Sequence, residues 1–126
     1  MKILLAGILA ATALLQQKCN REPVVTNCYK GRLEIKALCA NYTISVLEGN
    51  LDASKIEASW TDENTGKTYK NVFALGSPCT FPESLEEGKE FYFTLAETNN
   101  QCAVCQAYYP KPGKALSITV LDKPCR

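Results

Sequence analysis

Hydrophobic and polar residues alternate with a period of two through much of the chain. Leu33, Ile35 and Ala37 are separated by Glu34 and Lys36, and Tyr42, Ile44 and Val46 by Thr43 and Ser45. Phe91, Phe93 and Leu95 flank Tyr92 and Thr94, and Leu116, Ile118 and Val120 flank Ser117 and Thr119. This is the signature of strands with one buried face. Ile56, Ala58 and Trp60 share one face of a further run, residues 67–75 are rich in β-branched and aromatic side chains, and the turn-forming DENTG at 62–66 lies between them. Together they predict a β-hairpin. CAVCQAYY at 102–109 is also expected to be a strand, because Val104, Tyr108 and Tyr109 favour extended backbone and Pro110 would stop a helix.

Between these runs lie turn clusters. Residues 39–41 read as a bend, bulge or tight turn, and 48–50, 97–101 and 110–114 as turns. Residues 82–87 predict one helical turn ended by Gly88. Six or seven strands with no long helical pattern beyond the N-terminus indicate an all-β fold: a small antiparallel barrel, OB or netrin-like, or a sandwich. Its expected interior is shared by Leu33, Ile35, Ile44, Val46, Phe91, Phe93, Leu116, Ile118 and Val120.

The N-terminus is different. Lys2 precedes an apolar run over 3–15 interrupted only by Gly7 and Thr12. The run falls short of the roughly 20 residues a membrane span needs, and it has no polar face. It reads as the core of a secretory signal, with small residues at 11–13 for a signal peptidase. The expected organisation is therefore a signal peptide over 1–18, an N-terminal tether over 19–27 and one all-β domain over 28–126. A domain of about 100 residues can bury a real core. The expected location is extracytoplasmic: secreted, periplasmic or tethered to an outer membrane. Formal charge is +1, and removal of Lys2 and Lys18 with the signal turns it to −1. Such a balance offers no electrostatic footprint for nucleic acid and no polybasic cluster for anionic lipid.

In an exported chain, seven cysteines indicate disulfides. The candidates are Cys28, Cys39, Cys79, Cys102, Cys105 and Cys125. The odd one is Cys19, which directly follows the signal and is a candidate lipidation site and membrane tether, although Gln16, Gln17 and Lys18 stand where a lipobox has small residues. Cys102 and Cys105, three apart, admit several readings. A redox pair needs a thiolate held by a helix N-terminus or a basic neighbour, and strand-forming residues surround this one. A zinc site needs four ligands, for which Cys39 and Cys79 would have to join, without a second matched CxxC. Structural disulfides are the preferred reading. On a strand, residues three apart point to opposite faces with Cα atoms about 10 Å apart, beyond the ~7 Å limit of a disulfide. Each would then have its own partner, with Cys39 and Cys79 foremost; a turn at 102–105 would instead let the two bond each other.

The chain has no histidine, which removes Ser–His and Cys–His nucleophile pairs and the commonest metal ligand. No cofactor and no enzymatic activity are expected. Glu83, Glu86 and Glu87 read as a solvated turn. Asp62, Glu63 and Asn64 read as a hairpin tip, since their spacing does not fit a calcium loop. NYT at 41–43 is a glycosylation sequon set in a strand-rich run. Trp60, Tyr108 and Tyr109 are candidates for a ligand face, with core packing the competing role for Trp60.

The stretches CYKGRLEIKALCANYTISVLEGN, NVFALGSPCTFPESLEEGKEFYF and CAVCQAYYPKPGKALSITVL resemble a family of small exported bacterial proteins of unassigned activity. A looser resemblance is to the netrin-like OB barrel of the tissue inhibitors of metalloproteinases. Leu85, Gly88 and Phe91 match its L-x-x-G-x-x-Y/F element, whereas Cys19-Asn20-Arg21 lacks the second cysteine of those inhibitors' Cys-x-Cys start. The function expected is an exported, non-enzymatic, disulfide-stabilised binding or structural module for an unknown protein or small ligand. The alternatives are a secreted domain of the protease-inhibitor type implied by the second resemblance, and a redox protein using Cys102 and Cys105.

Overall fold

The computed structural model describes residues 27–97 and 102–125. The expected signal over 1–18, the tether up to residue 26 and Cys19 lie outside these residues. Seven strands follow in order: β1 (Cys28–Lys36), β2 (Tyr42–Glu48), β3 (Glu57–Thr61), β4 (Thr68–Leu75), β5 (Glu90–Leu95), β6 (Ala115–Leu116) and β7 (Ile118–Leu121). They form one sheet in the order β3-β4-β2-β1-β5-β7, with β6 beside β4. Every pairing is antiparallel except the two-residue β4–β6 pair. The fold is all-β, as expected. Along this path the sheet has two ends, at β3 and β7.

β1 is the axis of the sheet. Its side chains alternate without a fault, with Tyr29, Gly31, Leu33 and Ile35 turned inward. It pairs with β2 on one side and β5 on the other, and the β1–β2 register shifts between Lys30 and Gly31. A bulge of this kind bends a strand. Gly31 is required at the bend: a Cβ there would stand 2.9 Å from Phe93 Cε1 and 3.1 Å from the Ser45 carbonyl. That space is filled by Phe93, fully buried against Tyr29, Phe73 and Phe91 at centroid distances of 5.5, 5.8 and 5.8 Å. Leu33, Ile44 and Ile118 complete the middle of the core, with Val46, Leu116 and Val120 half-buried against it. Ile35 is buried but lies outside this contiguous cluster.

The predicted hairpin is β3–β4. Trp60 faces Tyr69, and Thr61 faces Thr68 with hydroxyls 2.8 Å apart. Its tip is closed by buried Asp62, whose carboxylate accepts from the Asn64 amide at 2.9 Å and the Thr65 hydroxyl at 3.1 Å. Asp62 therefore satisfies its own loop, as the hairpin-tip reading requires. β4 pairs with β2 from Val72 to Ala74 and with β3 from Thr68 to Val72. Asn71, at φ 52, stands where the β2 pairing stops. Beyond it the hairpin is a two-stranded arm, which explains why Ala58 is exposed rather than buried beside Ile56.

Three further expectations change. Residues 82–87 form no helix: the Leu85 amide bonds the Pro82 carbonyl and the Lys89 amide that of Glu86, giving two successive turns. Lys36 fastens this loop to the end of β1, its ammonium donating to the carbonyls of Glu83 and Leu85 and its amide to Glu87. The run at 115–121 is split at Ser117. The Gly76 amide bonds the Leu116 carbonyl, whereas the Ala96 amide bonds that of Ser117, so the chain leaves β4 for β5 there. The buried Ser77 hydroxyl serves both the amide and the carbonyl of Ile118 at the changeover. Finally, residues 102–109 are not a strand. β4 is already flanked by β2 and by β3 with β6, and β5 by β1 and β7. The sulfurs of Cys102 and Cys105 tie residues 102–109 instead to turns at strand ends.

Candidate functional site: a cross-linked tip beside an aromatic arm

Six cysteines form three disulfides. Cys28–Cys125 joins the start of β1 to the end of the chain, with Cα atoms 5.6 Å apart. Cys39–Cys105 and Cys79–Cys102 have Cα separations of 5.0 and 5.5 Å. Cys102 and Cys105 thus have separate partners, Cys79 and Cys39. The strand from which that was argued is absent, and the local bridge across 102–105 is not formed. Sulfurs bonded in this way offer no thiolate to a metal, which removes the zinc reading, and leave no dithiol at 102 and 105.

The two bonds gather three segments at one place. Cys39 belongs to the 3-10 turn Leu38–Ala40, and Cys79 to the 3-10 turn Pro78–Thr80. Cys39 and Ala40 hold φ of 59 and 57, a left-handed geometry that costs a side-chain-bearing residue of order 1–3 kcal/mol and persists only where its surroundings impose it. Here the Cys105 bond and Asn41 impose it. The Asn41 amide is nearly buried and donates to the carbonyls of Leu38 and Ala107, at 2.9 and 3.2 Å. A glycan on that nitrogen would break both contacts, so the sequon is spent on structure in the folded domain. Between the segments lies a cleft of about 410 Å³ whose walls include Asn41, Leu75, Pro78, Val104, Ala107 and Lys111.

Around this tip the surface is apolar. Leu38 is 76% exposed, Val104 45% and Tyr108 86%. Every residue from Cys102 to Tyr108 is exposed. The aromatics reach from here to the hairpin arm. The Tyr108 hydroxyl donates to Glu63 at the arm's tip at 2.7 Å, and this bond to a carboxylate raises its pKa above the ordinary 10.0. Trp60 and Tyr69 stack across the hairpin at 6.0 Å, with the Lys67 ammonium 4.9 Å from the Tyr69 ring centre. Burial raises the Tyr69 pKa, and the charges of Glu34, Asp62 and Glu87 and the nearby Tyr109 add to the shift. Of the three candidate ligand-face aromatics, Tyr108 is exposed, while Trp60 and Tyr109 are half-buried along the arm. Leu38 and Tyr69 are not among the sequence candidates for a ligand face, and Val104 and Glu63 are read there only as a strand residue and a hairpin-tip residue. The available signal was Leu38, an apolar residue bordering the predicted bend at 39–41.

Comparison with protein-family models, with curated proteins and with solved structures finds no match for this chain. The molecule's own features define its class: a small, three-disulfide, all-β domain of extracellular type. Its disulfides fit an oxidising environment outside the cytoplasm. No helix among the described residues is long and apolar enough to cross a membrane.

Proposed function

We propose that this protein is an extracytoplasmic, non-catalytic binding module, and that its partner engages the tip formed by Leu38 and residues 102–108. The observation that carries this reading is an exposed apolar surface on a segment cross-linked twice. A surface held this way loses little conformational entropy on binding, which removes one of the costs of recognition by loops. Leu38, Val104 and the aromatic Tyr108 supply apolar contact, and aromatic side chains are enriched where interfaces concentrate their binding energy.

The underlying architecture in this reading is an OB-type barrel. β1, β2 and β4 are successive antiparallel neighbours, β5 returns beside β1, and the last run divides its pairing between β5 and, in parallel, β4. In OB domains the loops after the first strand and before the last carry ligands. Here these correspond to residues 37–41 and 96–114, joined by the Cys39–Cys105 bond. Cys28–Cys125 ties the other end of β1.

Capture from the native envelope fraction or medium tests the proposal. The wild-type domain should retain a partner that Leu38→Asp with Tyr108→Ala releases, with both proteins melting alike. Equal retention by the variant contradicts it.

A further inference from the structure

We infer that residues 102–107 form a substrate-like loop that inhibits a serine endopeptidase with a small aliphatic primary pocket, the target bond being Val104–Cys105. This rests on the binding-module reading and names the partner's chemistry. Three features converge on the loop. Ala103 and Val104, between the half-cystines, are exposed and small. Among the described residues, the main-chain atom of 102–107 engaged in a hydrogen bond is the Ala107 carbonyl. Among the described residues no hydrogen bond occupies the backbone of 102–106, which suits pairing with the cleft of a protease as an added strand. Most tellingly, the two sides of the Val104–Cys105 peptide bond are tied to different segments of the chain: Cys102 to Cys79 and Cys105 to Cys39.

That last feature changes the fate of an attacked bond. The protease's serine Oγ adds to the Val104 carbonyl carbon, and its proton passes through the protease's own base to the Cys105 nitrogen. The C–N bond breaks, leaving an ester between Val104 and the serine and a free amine on Cys105. In an ordinary substrate the amine diffuses away and water cleaves the ester. Here Cys39 holds the Cys105 amine, and Cys79, through Cys102, holds the acyl side. The amine stays beside the ester at high effective concentration, attacks it, re-forms the peptide bond and returns the proton and the serine. Nothing is consumed, and the protease remains occupied. Tyr108 lacks this arrangement: no half-cystine follows it in the loop, and its hydroxyl is engaged by Glu63.

The purified disulfide-bonded protein, titrated against elastase-type, chymotrypsin-type and trypsin-type serine endopeptidases, provides the test. Stoichiometric inhibition of the elastase type is expected, with the chain recovered intact or nicked at Val104–Cys105 alone. Val104→Arg, a change at an exposed position, should weaken that inhibition by about 100-fold or more and transfer it to the trypsin type, with an unchanged melting temperature. Hydrolysis of the loop at the rate of an ordinary substrate, no inhibition of any of the three, or inhibition indifferent to Val104→Arg would overturn the inference. If a non-protease partner is captured through Leu38 and Tyr108 while no protease is inhibited, this inference fails and the binding-module reading stands. If inhibition is found but no partner depends on Leu38 and Tyr108, the proposed tip contact fails and the loop's activity stands.

Discussion

Truncating Phe93 to alanine attacks the point where three strands meet. Phe93 on β5 is fully buried, and its ring lies within 5.8 Å, centre to centre, of Tyr29 on β1, Phe73 on β4 and Phe91 on β5. Phenylalanine-to-alanine changes in cores cost about 3–5 kcal/mol, and the value depends on how far the surroundings collapse into the space. Collapse is restricted here because Tyr29 and Phe73 sit on different strands, each already packed. The Gly31 backbone beside the ring has no side chain to offer. The expected loss is therefore about 4 kcal/mol, a large part of the roughly 5–15 kcal/mol that stabilises a typical domain. Guanidinium unfolding followed by far-ultraviolet circular dichroism and by Trp60 fluorescence measures it. The midpoint should fall while the slope stays constant, since the surface exposed on unfolding hardly changes. A loss below about 1.5 kcal/mol at constant slope would mean that the ring is not packed as described.

Other expected outcomes follow from the same structure. Gly31→Ala should destabilise by about 1–3 kcal/mol, because the new methyl meets the Phe93 ring edge and the Ser45 carbonyl; an unchanged unfolding midpoint would contradict the close approach. The disulfides are nested, spanning 97, 66 and 23 residues, so removing them one pair at a time to serine, with the other two intact, should cost about 3.7, 3.2 and 3.0 kcal/mol on chain entropy alone. Melting temperatures should rank in that order, and a smallest effect for Cys28–Cys125 would contradict it. Tyr108 should ionise above 10.0 in an ultraviolet difference titration, and Glu63→Gln should return it toward that value. Since the folded-state pKa is the higher one, the bond's contribution is present below the unfolded value and lost as pH rises through the folded one. A titration indifferent to Glu63→Gln would show that the bond does not form.

The legible parts of this fold were those where one residue type faces one environment. β1 alternates so regularly that its inward face was readable from Leu33 and Ile35, and the hairpin announced itself through DENTG. Residues 102–109 show where such reading stops. Val104, Tyr108 and Tyr109 carry strand propensity, but propensity is realised only where a segment is laid against a strand it can pair with. Sheet order decides that, and it is not local in sequence. The separate pairing of Cys102 and Cys105 was anticipated through a strand that does not exist; what sets it is the placing of Cys39 and Cys79 on turns at one end of the sheet. The left-handed backbone at Cys39 and Ala40 is imposed by the Cys105 bond and by Asn41, so nothing in those residue types betrays it. Leu38 is illegible for a similar reason, since an isolated apolar residue beside a bend carries no signal of its exposure.

Everything proposed for the tip depends on Cys102 and Cys105 being tied to different segments. Peptide mapping under acidic, non-reducing conditions, with mass-spectrometric fragmentation between Ala103 and Val104, reads this out. Cys39 should be found joined to Cys105, Cys79 to Cys102 and Cys28 to Cys125. A bond between Cys102 and Cys105, leaving Cys39 and Cys79 to pair elsewhere or stay reduced, would contradict the cross-linked tip and the inhibitory loop drawn from it.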